Sequence, residues 1–252
     1  MKEKIISAKN LVKSFKNGDI DQTIINNLDL DIYDNDFTII MGSSGAGKST
    51  LMYCLSGMDK VTSGEIIFKG KDISKMSNDK LAIFRRKNCG FVFQQIYMLD
   101  KMSLMDNVLT SGLLVSNNKK ETIRKAKELI KKVNIPELTY KKNMNQVSGG
   151  ECQRAGIVRA AINNPAVIFA DEPTGALNSE NSTAVLDVLT ELNNNGQSII
   201  MVTHDKKSAI RGNKIIYLKD GKIFGELSLN KYTKNDEERN EKLDKFLKEM
   251  GW

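Results

Sequence analysis

Gly42-Ser43-Ser44-Gly45-Ala46-Gly47-Lys48-Ser49 follows the apolar run Phe37-Thr38-Ile39-Ile40-Met41 and precedes Thr50-Leu51-Met52-Tyr53-Cys54-Leu55. Gly42, Gly45 and Gly47 let the backbone curl so that its N–H groups converge on phosphate oxygens. Lys48 brings a cation to the β- and γ-phosphates, and the Ser49 hydroxyl is a ligand of the kind Mg²⁺ takes. The helix expected from Ser49 to Leu55 adds its positive N-terminal end. At average glycine usage the pattern arises by chance in roughly one chain per hundred of this length. Here it also lies between a buried strand and a helix, as phosphate binding requires. The ligand class is a nucleoside triphosphate.

Two downstream features belong to the same chemistry. Asp171-Glu172 ends the apolar strand Pro165-Ala166-Val167-Ile168-Phe169-Ala170 and is followed by Pro173. One carboxylate there can hold a Mg²⁺ shell, and its neighbour can orient and deprotonate an attacking water. His204 is the only histidine and follows the apolar strand Ser198-Ile199-Ile200-Met201-Val202. In parallel sheets ligands bind at the carboxyl ends of the strands. An acidic pair after a strand is also a common helix cap, and a strand-terminal histidine is commonly satisfied by backbone. The phosphate loop upstream turns both toward catalysis, with His204 as a γ-phosphate contact.

The rest of the chain sets the frame. It has 252 residues, 40% hydrophobic and 27% charged, enough for one large domain with a substantial core. No window approaches the roughly 18 consecutive apolar residues of a membrane span. The N-terminus, Met1-Lys2-Glu3-Lys4-Ile5-Ile6, is too short in apolar content for a signal peptide. Cys54, Cys89 and Cys152 are an odd, widely spaced set that reads as reduced, structural thiols of a cytosolic protein. The net charge of +7 fits attraction to an anionic membrane face, or simply solvated lysines. No arginine-rich stripe with interleaved aromatics points to nucleic acid.

Alternation predicts short strands of an antiparallel edge sheet over 5–15 and 24–32. A further strand is expected over 63–70, and helices over 106–115, 119–133 and 182–192. Lys214 to Leu218 and Lys222 to Leu227 flank Asp220-Gly221, a hairpin turn. Buried strands alternating with helices define an α/β fold with a largely parallel sheet. Residues 229–252 change to Lys, Asn and Glu, then place Leu243, Phe246, Leu247 and Met250 on one helical face. That face either docks on its own domain or receives a partner.

With these residues in hand, residues 3 to 228 resemble the ATP-binding cassette (ABC) ATPases. Gly42 to Ser49 looks like the Walker A loop, with Thr50 beside it. Gln94, in Phe91-Val92-Phe93-Gln94, looks like the Q-loop glutamine, and Ser148-Gly149-Gly150-Glu151, with Val147 before it, like the family signature. Val167 to Asp171 resembles Walker B, Glu172 the general base, Ala176-Leu177-Asn178 the D-loop, and His204 the switch histidine. Phe15 stands where the family places an aromatic that stacks on adenine.

The resemblance implies an α/β, RecA-like P-loop core over 1–228 with an antiparallel β-subdomain. A helical subdomain, about 95–160, is inserted in it, and residues 229–252 form an extension with a short amphipathic helix. It implies ATP and Mg²⁺ as ligands, with Ser49, Gln94 and Asp171 toward the metal and Lys48, Glu172 and His204 as catalytic groups. It also implies a head-to-tail pair of copies, with ATP between Lys48 of one and Ser148-Gly149-Gly150 of the other. The serine hydroxyl, glycine N–H groups and helix N-terminus make a second anion cradle there.

Lacking a membrane span, such a chain would act on a separate permease at the cytoplasmic face of the membrane. The apolar stretch Ile96 to Val108, after Gln94, lies where the family docks that partner; it also suits helical-subdomain core. Asp171-Glu172-Pro173-Thr174-Gly175-Ala176-Leu177-Asn178-Ser179 is most similar to bacterial antimicrobial-peptide resistance cassettes, a group allied to macrolide exporters and lipoprotein-release ATPases. The work on such peptides is export, resistance or sensing; the alternatives are a lipoprotein-release or cell-division type complex, a soluble cassette ATPase without transport, and a non-hydrolysing regulatory module. Retained Glu172 and His204 argue against the last. Five positions, in three places, depart from the usual pattern: Glu151-Cys152 for Gln-Gln, Asn178 for the D-loop aspartate, and Asn35-Asp36 for Gly-Glu.

Overall fold

The computed structural model describes residues 2–18 and 20–252. The chain runs β1 (Lys4–Asn17), β2 (Ile20–Tyr33), β3 (Phe37–Met41), α1 (Lys48–Leu55), β4 (Ser63–Phe68), β5 (Lys71–Asp72), α2 (Asn78–Asn88) and β6 (Cys89–Phe93). Then come α3 (Leu104–Gly112), α4 (Lys119–Lys132), α5 (Gly149–Ala161), β7 (Val167–Asp171), α6 (Ser179–Asn194) and β8 (Ser198–Val202). It closes with α7 (Lys206–Ala209), β9 (Lys214–Lys219), β10 (Lys222–Ser228) and α8 (Glu237–Glu249).

Two sheets divide the strands. A four-stranded antiparallel sheet has the order β2-β1-β4-β5. Its first two strands are longer than alternation predicts, 14 residues each. They continue through register shifts near Asn10 and Asn27, both at φ 48, where bulges interrupt the period-two pattern without ending the pairing. A six-stranded sheet has the order β10-β9-β3-β8-β7-β6, parallel except for the β9–β10 hairpin.

The central strands are buried on both faces, so β3 and β8 are buried at every position. This explains their continuous apolar runs. Side chains of β3 alternate between two cores. Ile39 and Met41 join Ile168, Ala170, Ile199 and Met201 under the helices α3 to α6, while Ile40 joins Phe169, Ile200 and Val202 against α1 and the antiparallel sheet.

Between β6 and β7 the chain is helical. On α4, Ala126 and Ile130 are buried, with Val133 just beyond it buried as well and Ile123 partly so, the face predicted from their spacing. The stretch 96–108 is mixed rather than uniformly exposed. Leu104 and Val108 are fully buried core residues of α3, whereas Tyr97 and Leu99 are 65% and 57% exposed. The difference is secondary structure: α3 turns alternate apolar residues inward, and the irregular segment before it leaves them outside.

The helix α8 docks on its own domain through Leu243, Phe246 and Leu247, with Met250 partly covered. Arg239, 3% exposed, fixes it by donating to the backbone carbonyls of Ile210, Gly212 and Asn230. Its guanidinium and that of Arg211 both lie against the Tyr232 ring. Among the described residues no helix is long and apolar enough to cross a membrane. Cys54, Cys89 and Cys152 are free thiols, two of them buried.

Candidate functional site

The P-loop connects β3 to α1. Gly42 has φ 147, and a Cβ there would fall 2.1 Å from the Leu218 carbonyl oxygen, so the turn out of β3 admits only glycine. Gly47 caps α1 at φ 94, and a Cβ on it would press on Ile24 and Ile25 of β2 at 3.0–3.1 Å. The loop is thus wedged between the two sheets. Ser43, Ser44 and Gly45 are exposed at its tip, while Ala46, Gly47 and Lys48 are buried. Lys48 Nζ donates to the Gly42 and Ser43 carbonyls at 3.0 and 2.8 Å. Burial lowers its pKa from 10.5, and the Glu172 and Asp171 carboxylates act in the opposite direction.

Strands β7 and β8 deliver the acidic and imidazole groups to the same edge. Ser49 Oγ donates to Asp171 Oδ1 at 2.9 Å. Glu172 follows at φ 44, a conformation uncommon for a residue with a β-carbon, held by N–H donation to Val202 and by its own carbonyl accepting from Gly175. Its Oε1 lies 2.8 Å from His204 Nδ1. Gln94 is exposed just past β6 and abuts Gly175: a Cβ on that glycine would meet Gln94 Nε2 at 2.8 Å. Ser49, Gln94, Asp171 and Glu172 line one cavity of about 390 Å³. Lys48, Ser49, Gln94, Asp171, Glu172 and His204 therefore gather at one end of the parallel sheet.

Phe15 stands on the other sheet. It pairs with Gln22 on β2, the strand whose Ile24 and Ile25 abut Gly47, and it is 44% exposed. Lys13 Nζ sits 4.4 Å from its ring centroid, held by Asp59 and the Lys60 carbonyl at 2.8 Å. This leaves part of an aromatic ring open to solvent on β1.

Ser148, Gly149 and Gly150 belong to a separate surface. Ser148 caps α5: its Oγ accepts from the Glu151 N–H, and Glu151 Oε2 accepts from the Ser148 N–H at 3.0 Å and from its hydroxyl at 2.8 Å. Burial would raise the Glu151 pKa, but these hydrogen bonds, together with the Arg154 and Lys142 charges, hold it below the ordinary 4.5. Glu151 is thus committed to the helix start. Gly150 lies under Asn181 so closely that a Cβ would sit 2.0 Å from its Oδ1. Asn178 caps α6 by accepting from the Asn181 N–H at 2.9 Å, the bond an aspartate would also make.

Two contributors escaped the sequence reading. Gln153, 1% exposed, donates to the Phe93 carbonyl at 3.0 Å and the Pro173 carbonyl at 2.7 Å, tying the residue before Gln94 to the residue after Glu172. Its only sequence signal is a polar residue one turn beyond Gly149 on a buried helix face. Tyr53 donates to Asp171 Oδ2 at 2.7 Å. Burial and this carboxylate push the phenol pKa well up, so it stays a protonated donor.

A glycine phosphate loop between the sheets, with an acidic pair and a histidine at the ends of adjacent strands, defines a P-loop nucleoside triphosphatase. The ABC transporter family model matches residues 25–175, so the chain belongs to the ABC transporter family and is one of its ATPases. It is 36% identical to the bacitracin export ATP-binding protein BceA of Halalkalibacterium halodurans, covering 98% of this chain and 96% of that one. With the macrolide export ATP-binding/permease protein MacB of Pasteurella multocida it shares 38% identity over 90% of its own residues. It spans only 35% of the length of that relative. The cassette MJ0796, solved as a dimer in a post-hydrolysis state bound to ADP and Pi, superposes with a TM-score of 0.83. It is 35% identical, over 90% of this chain and 100% of that one.

Proposed function

We propose that this ATPase works as a pair of identical chains closing head to tail on two ATP and pulling on a separate membrane permease, in export of or resistance to antimicrobial peptides. The observation that carries the reading is the convergence of Lys48, Ser49, Asp171, Glu172 and His204 at one sheet edge. The near full-length match to a bacitracin export ATP-binding protein supports the substrate class.

Each group has one task. The N–H groups of Gly42 to Thr50 cradle the phosphates, and Lys48 exchanges its two carbonyl partners for the β- and γ-phosphates. The open face of Phe15 stacks on adenine. Ser148, Gly149, Gly150 and the start of α5 approach the γ-phosphate from the second copy. Glu172 takes a proton from water as its oxygen attacks the γ-phosphorus; the bond to the bridging β,γ-oxygen breaks, and ADP and phosphate leave. His204 holds the γ-phosphate oxygens.

Mg²⁺ is a hard cation held by one or two protein oxygens plus substrate phosphates. Ser49 and Asp171, with Gln94 in the same cavity, supply such oxygens; bound there, the ion would neutralise charge on the β- and γ-phosphates. Residues 1–228 carry these parts, with the helical insertion over 95–160, while 229–252 brace them.

The permease would meet the exposed segment containing Tyr97, Leu99 and Met102, at the cytoplasmic face. Three measurements test the proposal. The purified chain should hydrolyse ATP, and it should co-purify with a permease encoded beside it and raise bacitracin tolerance only when both are expressed. No co-purifying permease, or no rise in tolerance when both are expressed, would sink the transport reading.

A further inference from the structure

Asp171 is gripped from one helix. Ser49 and Tyr53 stand four positions apart on α1 and so share a face. Ser49 Oγ donates to Oδ1 at 2.9 Å and Tyr53 Oη to Oδ2 at 2.7 Å, one donor for each carboxylate oxygen. Tyr53 is half-buried and lines the same 390 Å³ cavity as Ser49, Gln94 and Glu172. Asp171 is the only hydrogen-bond partner of its hydroxyl among the described residues.

The geometry points to Tyr53 as a positioning residue for the divalent cation, acting through Asp171. With Oδ2 tethered, the carboxylate plane is fixed and Oδ1 stays turned to Ser49 Oγ, the two oxygens that would hold a cation there. Outer hydrogen bonds of this kind orient a ligand before the ion arrives, and their removal typically weakens metal affinity by about 10–100-fold. Ser49 restrains only Oδ1, the oxygen on the side a cation would occupy, whereas Tyr53 restrains Oδ2, so the orientation of the carboxylate depends on both donors. This inference rests on the reading of Asp171 as a metal-binding residue.

Tyr53→Phe removes only the hydroxyl and keeps the ring. Binding of a fluorescent ATP analogue to the full chain is titrated with Mg²⁺, and measured separately in EDTA, for wild type, Tyr53→Phe and Asp171→Asn. Tyr53→Phe is expected to need about tenfold more Mg²⁺ for half-saturation, with analogue affinity in EDTA and the melting temperature unchanged. If Asp171→Asn leaves the Mg²⁺ requirement intact, the underlying metal reading fails. If Asp171→Asn abolishes the Mg²⁺ effect while Tyr53→Phe titrates like wild type, the role of Tyr53 is overturned. An equal loss of affinity with and without Mg²⁺ also overturns it, since that is the mark of a packing residue.

Discussion

His204 Nδ1 lies 2.8 Å from Glu172 Oε1, so the groups assigned as phosphate contact and general base hold each other directly. The imidazole is 63% exposed and the carboxylate 23%, which places the pair at the mouth of the site with Glu172 on the inner side. Under the proposed function, Glu172 Oε2 and His204 Nε2 are left for water and phosphate oxygen while this bond holds.

Glu172→Gln keeps shape and hydrogen bonding but removes the base. Steady-state ATP turnover should fall by about 10²–10⁴-fold, while ATP binding and ATP-driven dimerisation, followed by light scattering, persist. Equal turnover would remove Glu172 from the role of base.

Ser148→Arg places a long cation on the exposed start of α5, away from the P-loop residues of its own chain. ATP binding to single chains should remain, and the fold should be intact by circular dichroism. ATP-driven dimerisation by size exclusion should disappear; a variant that still dimerises refutes the intermolecular site.

Glu151→Gln tests the capping box. The wild-type carboxylate has a folded pKa below 4.5, so it binds fewer protons folded than unfolded near that pH. Its contribution to stability is complete above the ordinary value and lost as the pH falls through the folded one. Urea unfolding at pH 7 should show the variant less stable by about 0.5–1 kcal/mol. The difference should shrink as the pH is lowered below 4.5; a constant gap would show that the charge is not involved.

Arg239→Ala strips the carbonyls of Ile210, Gly212 and Asn230 of a buried cationic donor. Charge-assisted hydrogen bonds contribute about 1.5–3 kcal/mol, so a loss of about 2–4 kcal/mol is expected. The melting temperature should drop by roughly 4–16 °C. Arg239→Lys, which cannot serve three carbonyls from one planar fork, should recover only part of it.

Most of the parallel core was legible because its strands are buried on both faces and read as unbroken apolar runs ending in polar motifs. The helix α2 was not: only Leu81 and Phe84 of its residues are buried, and the surrounding Lys and Arg hide that pair. β6 was visible only as the lead into Gln94, since Cys89, Phe91 and Phe93 are half-buried and alternate with buried Gly90 and Val92. Asp171, Glu172 and His204 announced themselves by position after strands. Tyr53 and Gln153 did not, because each acts through a partner remote in sequence, and nothing local distinguishes a tethering tyrosine from a packing one.

The P-loop strand also has a history in time. Phe37 of β3 pairs with Ile199 on one side, and Thr38 with Lys214 on the other. During synthesis at about 5–20 residues per second, β3 leaves the ribosome and waits on the order of ten to thirty seconds for either neighbour. Through that interval Phe37-Thr38-Ile39-Ile40-Met41, an apolar segment without a charge, has no sheet to join. The strand that later presents the phosphate loop is thus an uncharged, unpaired segment open to aggregation and chaperone capture in the newborn chain.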